Sequence, residues 1–389
     1  MKCNGIETST SDFIGIEGSD LITHADSLLE GDRDGTFITP GFIDLQVNGF
    51  AGVDYNSPGV LTDDALEAIA SSIRTMFSTG VTRFFPTVIT GSPGDMLGAL
   101  RNLARARESL VEGPAMEAFH VEGPHISPHD GPRGAHPARW VRPPDFEEFK
   151  RWQDAAQGHV RLVTLSPEWP EAPRYIERLA SEGVVTSIGH TRATREQIAD
   201  AVRAGATLST HLGNGADAVL PRHPNYIWEQ LSEDKLAASF IVDGIHLPDS
   251  FLRAALRAKG VERSILVTDA VMPAMCAPGP YRLGEVEVEL KEDDRVVLRG
   301  VVQGVARLAG SSLRMDRAIS NVMRVAGLNL TEAIAMATVN PARVGRIAGR
   351  LRGLRPGDRS DVVRFRVKDG RVRVVETFLA GDRVFAVSL

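Results

Sequence analysis

The chain reads as an α/β protein, a (β/α)8 TIM barrel with a small β-sandwich domain formed by its N- and C-terminal segments. Three observations carry this expectation. Eight short apolar runs, at 42–48, 82–88, 117–122, 160–166, 184–190, 207–211, 236–243 and 264–269, alternate with helical stretches, the pattern of βα units around a parallel sheet. The two ends break that pattern. Residues 1–39 are short strands and turns, and 361–367, 372–378 and 383–387 read as successive strands, with Asp369-Gly370 as a hairpin signal. Finally, 389 residues are too many for one small domain and suit one large barrel with an appendage. The expected division is 1–39 plus 346–389 for the small domain and 40–345 for the barrel.

Local signals justify the elements in turn. A helix over 62–78 opens on Thr62, a good cap, followed by an acidic first turn. A helix over 194–204 is closed by Gly205. The prolines at 143 and 144 place a loop between the third strand and its helix, and 281–299 alternates as a hairpin excursion after the eighth strand. Apolar content of 43% and charged content of 24% are ordinary for a globular protein, and a net charge of −6 disfavours nucleic acid as a bulk partner. No basic segment leads into an apolar run at the start, and no run of about 18 apolar residues occurs, so neither a secretory leader nor a membrane span is expected. Cys3 and Cys276 lack metal spacing and read as free thiols of a reducing cytoplasm.

Barrel enzymes work at the C-terminal ends of their strands. Four ends here carry chemistry: His120-Val121-Glu122-Gly123-Pro124, Gly189-His190-Thr191, Thr210-His211-Leu212-Gly213-Asn214-Gly215, and Val267-Thr268-Asp269-Ala270. Catalytic metal sites take about three protein ligands and keep one position open, which Glu122, His190 and His211 supply. Asp269, after an apolar strand, has the setting of a general acid/base. Gln46 and Asn48 stand at i and i+2 on the first strand, where a second metal would need harder donors such as two histidines. As neutral amides they argue for one metal. His136 and His246 fall in loops near the mouth and are candidates for substrate contact. Arg222, in the loop after the sixth strand, is of the type that binds phosphate bidentately. His120 and His125 read as structural, and His24, His129, His159 and His223 as surface residues. No phosphate-binding P-loop and no G-x-S-x-G elbow is present.

A longer ordered set joins these ends: Pro40-Gly41-Phe42-Ile43-Asp44-Leu45-Gln46-Val47-Asn48-Gly49, Asp243-Gly244-Ile245-His246, Leu308-Ala309-Gly310-Ser311-Ser312, Met336-Ala337-Thr338 through Asn340-Pro341-Ala342, and Pro356-Gly357-Asp358. With it the chain, from about residue 38 onward, resembles the N-acetylglucosamine-6-phosphate deacetylases of the amidohydrolase superfamily. The resemblance implies hydrolysis of the acetamide of N-acetylglucosamine 6-phosphate to glucosamine 6-phosphate and acetate. It implies one divalent metal per subunit, zinc first and iron, manganese or cobalt as alternatives, on Glu122, His190 and His211. Asp269 would be the acid/base and His136 would polarise the carbonyl. Ala135, His136, Asn214, Gly215, His246, Leu308, Ala309 and Gly310 would line the sugar-phosphate site. Arg222 would reach the neighbouring active site of a homodimer. The chain departs from the family's pattern where a bulky aromatic and then Asn-Ala-Met usually follow His-Leu, and again over 223–228. Two other readings stand beside this one: a related amidohydrolase acting on another N-acyl or cyclic amide, and a non-catalytic sugar-phosphate sensor. The loss of Asp269 or of a ligand would mark the sensor, and none is lost.

Overall fold

The computed structural model describes residues 1–28, 35–300, 307–349 and 353–387. The parts of the expected small domain at 29–34, 350–352 and 388–389 lie outside the described residues. Eight parallel strands appear in the expected places: β1 (Phe42–Val47), β2 (Val81–Ile89), β3 (Phe119–Glu122), β4 (Val160–Leu165), β5 (Val185–Ile188), β6 (Ala206–Ser209), β7 (Ala237–Ile241) and β8 (Ser264–Val267). They pair in sequence order. The ring closes where Val47 bridges Ala270 in parallel, and where the amide of Asp269 donates to the Gln46 carbonyl at 3.0 Å. These strands are buried along nearly their whole length, as a parallel sheet covered by helices requires.

The helices follow their sequence signals. One runs Asp63–Phe77 with the Thr62 side chain accepting from the Ala65 amide. Another runs Arg195–Ala204. It opens on a Thr194/Gln197 capping box and closes at Gly205 with φ of 119°. Their inner faces join β1–β8 in one apolar cluster that includes Phe42, Phe84, Phe119, Trp152 and Phe240. After β8 the chain makes the expected excursion, a three-stranded antiparallel sheet of Gly279–Leu283, Val286–Leu290 and Val296–Leu298.

The two ends of the chain meet in a separate, mostly antiparallel, sandwich-like β domain whose strands run continuously in one seven-stranded sheet. The C-terminal strand Val362–Lys368 pairs with Phe37–Pro40, which pairs in parallel with Lys2–Glu7. The Asp369-Gly370 turn has positive φ at both residues, 52° and 69°, the backbone that a two-residue hairpin needs. Among the described residues, no helix is long and apolar enough to cross a membrane.

A buried ion cluster ties this domain to the barrel. Asp361, with no exposed side-chain surface, accepts from Arg83 Nε of β2 at 2.7 Å and from Arg359 Nε at 2.9 Å. Arg83 also donates to the Ala348 carbonyl. Removing one partner of such a pair strands a buried charge, at a cost of about 3–5 kcal/mol. Asp361→Ala is therefore expected to lose about that much in urea unfolding, because it leaves two guanidinium groups without their common carboxylate. A loss under about 1 kcal/mol would show that the cluster does not hold the two parts together.

Candidate metal centre and acid/base pair

Each functional side chain stands where a strand stops. Glu122 is the last residue of β3, His190 and His211 lie just beyond β5 and β6, and Asp269 follows β8. The last three share an uncommon backbone: φ is 49° at His190, 29° at His211 and 50° at Asp269. Non-glycine residues with positive φ persist only where the surroundings over-determine them, and such strain gathers at functional sites.

The Glu122 carboxylate, 3% exposed, is the hub. Its Oε1 lies 3.0 Å from His211 Nε2 and 3.3 Å from His190 Nε2. Burial alone would raise its pKa. With the two imidazoles protonated, their hydrogen bonds and positive charge outweigh burial and hold it well below the ordinary carboxylate range. The same contact raises the pKa of His211 against its own burial. His190 Nδ1 lies 2.8 Å from the Pro132 carbonyl, which can only accept, so Nδ1 carries a hydrogen, and in the neutral ring the Nε2 lone pair faces Glu122. A lone pair and a carboxylate oxygen facing each other in a buried site call for a cation between them. His211 Nδ1 is buried without a hydrogen-bond partner. The donor set, one carboxylate and neutral imidazoles, fits a divalent metal.

The cluster is wider than the expected triad. Among the described residues, Glu122, His136 and His190 have ligand atoms within 4.8 Å of one another. His211 joins them through the Glu122 oxygen. His136 Nδ1 lies 2.8 Å from Thr90 Oγ1, and burial pushes its pKa down to about 3, so its ring is neutral.

Asp269 stands beside this group. Its Oδ1 accepts from Asn48 Nδ2 at 2.6 Å and from Gln46 Nε2 at 3.1 Å, and the same Gln46 nitrogen donates to Glu122 Oε1 at 3.0 Å. The two strand-one amides thus fill the space between the carboxylates with N–H donors. Burial, with the Glu122 charge adding to it, pushes Asp269 up to about 6.

Of the remaining expected residues, some pack beside this centre and others stand apart from it. Gly310 lies against the 269–271 stretch, the next residue's amide donating to the Asp269 carbonyl, while Leu308 bridges Val297 and Ala309 packs against the excursion sheet. His246 is held by Asp243, Nδ1 to Oδ2 at 2.6 Å. Ala135 packs beneath the excursion sheet, next to His136. Gly213 and Gly215 bear φ of 103° and 56°. A Cβ at Gly213 would lie 2.7 Å from the Phe251 ring and from Leu247, and one at Gly215 would lie 2.8 Å from His190 Nδ1. The turn that departs from the family's pattern is thus packed so closely, at positive φ, that a side chain at either glycine would have to displace its neighbours. Asn214 Nδ2, between the two glycines, is buried and unpartnered. Arg222 is exposed and makes no ion pair among the described residues. His120 and His125 stay in the wall of the fold, bonded to Thr164 and to the Arg142 carbonyl. A cavity of about 540 Å3 lies on the β1–β2 side, lined by Tyr55, Asn56, Met96 and Leu283. It meets the site only at Thr90.

Sequence reasoning missed Thr90, the Pro132 carbonyl and the donor role of the two amides. Only the amides had a signal, their i, i+2 spacing on a strand that ends at the mouth.

A carboxylate–imidazole cluster with a separate buried acid, at the strand ends of a (β/α)8 barrel, defines a metal-dependent hydrolase. The chain belongs to the amidohydrolase family, which it matches over residues 37–384. It is 33% identical to the N-acetylglucosamine-6-phosphate deacetylase of Homo sapiens, over 91% of this chain and 85% of that protein. It is 34% identical to the N-acetylgalactosamine-6-phosphate deacetylase of Shewanella sp. (strain ANA-3), over 90% and 84%. Its structure is similar to that of N-acetyl-D-glucosamine-6-phosphate deacetylase from Mycobacterium smegmatis, with a TM-score of 0.87 at 29% identity over 99% of this chain and 100% of that one.

The Gly215 contact gives a direct check. Gly215→Val is expected to displace the His190 ring and to reduce the divalent metal retained through gel filtration by half or more. Undiminished metal content would show that the ring has room to move.

Proposed function

We propose that the protein hydrolyses the acetamide of N-acetylglucosamine 6-phosphate, releasing acetate and glucosamine 6-phosphate. The observation that carries this reading is the joint presence, at four strand ends, of the Glu122–His190–His211 cluster and the separate acid Asp269. Its relatives, deacetylases of amino-sugar 6-phosphates, supply the substrate class. One divalent ion per subunit, zinc first and iron, manganese or cobalt as alternatives, would be held by Glu122, His190 and His211. When bound it supplies Lewis acidity and lowers the pKa of a water toward about 7.

His136 suits a different role from the ligands. Its Nδ1 faces a hydroxyl that can donate, so its Nε2 can carry the hydrogen and donate to the acetyl oxygen as negative charge develops there. Asp269 takes the proton of the attacking water and returns it to the leaving amine. With Oδ1 occupied by Asn48 and Gln46, Oδ2 is the oxygen that carries that proton. Ala135, Asn214, Gly215, His246 and the Leu308–Gly310 loop would line the sugar and phosphate. Asn214 brings a free amide to this task.

Arg222 would serve a neighbouring subunit in a homodimer. Val219 and Trp228, 87% and 53% exposed on the same stretch, give that surface apolar contacts to bury. We assign 1–39 plus 346–389 to the small β domain and 40–345 to the catalytic barrel. A cytoplasmic setting agrees with the two free cysteines.

A second reading, N-acetylgalactosamine 6-phosphate, is favoured by the relative of that specificity at 34% identity. The two sugars differ only in the configuration at C4.

Acetate release across N-acetylglucosamine and N-acetylgalactosamine, each with and without the 6-phosphate, tests the reading. N-acetylglucosamine 6-phosphate is expected to give the highest kcat/KM. Preference for the galacto sugar would install the second reading, and no release from either phosphate would sink both. Asp269→Asn is expected to keep its metal and lose at least about a hundredfold in kcat. Arg222→Ala is expected to raise KM for the phosphorylated sugar alone; an equal rise for the unphosphorylated sugar would remove the phosphate role.

A further inference from the structure

We propose that Asp44, a buried carboxylate low on β1, is the positioning residue that locks Asp269 into its left-handed backbone and so aims its carboxylate at the reacting atoms. This rests on the reading of Asp269 as the acid/base.

Asp44 is 1% exposed and spans the seam between β1 and β8. Its Oδ2 accepts from Thr268 Oγ1 at 2.6 Å, and its Oδ1 accepts from the amides of Thr268 and Gln46, both at 3.2 Å. Thr268 is the residue before Asp269. Its hydroxyl, while donating to Asp44, accepts from the Ala270 amide at 3.2 Å, on the other side of Asp269. Asp44 and Thr268 therefore clasp the turn from both flanks. The seam completes the clasp. Asp269 donates its amide to the Gln46 carbonyl, its carbonyl takes the Ser311 amide at 3.0 Å, and Ser311 Oγ donates to the Thr268 carbonyl at 2.5 Å.

An aspartate at φ of 50° is off the preferred L-residue backbone and stays there only if its neighbours hold it. Once Thr268 relaxes, the turn can return to an ordinary φ, and Asp269 swings away from Asn48 and Gln46. Asp44 itself touches neither the imidazoles nor Glu122 in any described hydrogen bond, so its removal reaches catalysis through the Asp269 turn and through Gln46, whose amide it also holds. A misplacement of about 1 Å at a reacting group can cost about a hundredfold.

The test measures kcat, KM and metal content of purified, metal-loaded protein with N-acetylglucosamine 6-phosphate. Asp44→Ala is expected to lower kcat about a hundredfold with KM and bound metal unchanged. Asp44→Asn, whose amide still accepts the two backbone N–H groups and donates to Thr268 Oγ1, is expected to recover most of that loss. If Asp44→Ala is not recovered folded, Thr268→Val decides the matter. It keeps the shape of the side chain, removes the clasp, and is expected to lower kcat at least tenfold. A folded Thr268→Val protein whose kcat stays within about twofold of the parent overturns the proposal, as does a loss matched by lost metal or by raised KM. Asp269→Asn separates the two failures. If it remains active, the acid/base reading falls. If it is inactive while Thr268→Val is fully active, only the positioning role falls.

Discussion

A single buried carboxylate sets the terms for the rest of the site. Glu122 is almost fully withdrawn from water, where an isolated charge is costly unless it is paired. The imidazoles of His190 and His211 and the amide of Gln46 converge on its Oε1, and together they hold it ionised. That convergence needs three different strand ends at one point, which the closed eight-stranded ring provides and an open sheet would not. The backbone at His190, His211 and Asp269 bends to positive φ so that side chains leaving separate strands meet over the same axis. The strain is spread over elements that the barrel core already fixes.

The amides of β1 give the site its asymmetry. Where two imidazoles could have taken a second cation, Gln46 and Asn48 put N–H groups against Asp269 and Glu122. Donors of this kind quench repulsion between two carboxylates without drawing in a metal, and they leave one oxygen of Asp269 free. The acid/base role proposed for Asp269, taking a proton and then giving it back, would gain from that arrangement, because its exchangeable oxygen and its anchored oxygen are distinct.

Much of this was legible in the sequence. The eight strands announced themselves as apolar runs, the helix ends by Thr62, Thr194 and Gly205, and the hairpin by Asp369-Gly370, because each depends on nearest-neighbour backbone chemistry. Glu122, His190, His211 and Asp269 were legible because a charged residue at the end of an apolar run has few structural excuses. The supports of these residues were not. The Pro132 carbonyl that fixes the His190 tautomer belongs to a backbone position and has no residue signature. Thr90, bonded to His136 across 46 positions of chain, looks like any other threonine just past a strand end. Asp44 is separated from Thr268 by 224 positions, and only ring closure brings them together. Gly213 and Gly215 drew notice as departures from a pattern. Their packing against Phe251 and His190 could be seen only once the turn was folded.

We propose that the site takes one metal on its carboxylate–imidazole cluster, with amides in place of a second. Reconstitution tests it most directly: metal-free protein is titrated with zinc while acetate release from N-acetylglucosamine 6-phosphate is followed. Activity is expected to rise linearly and break at one equivalent per chain. A break at two equivalents, or full activity in the metal-free protein, would contradict a single-metal site.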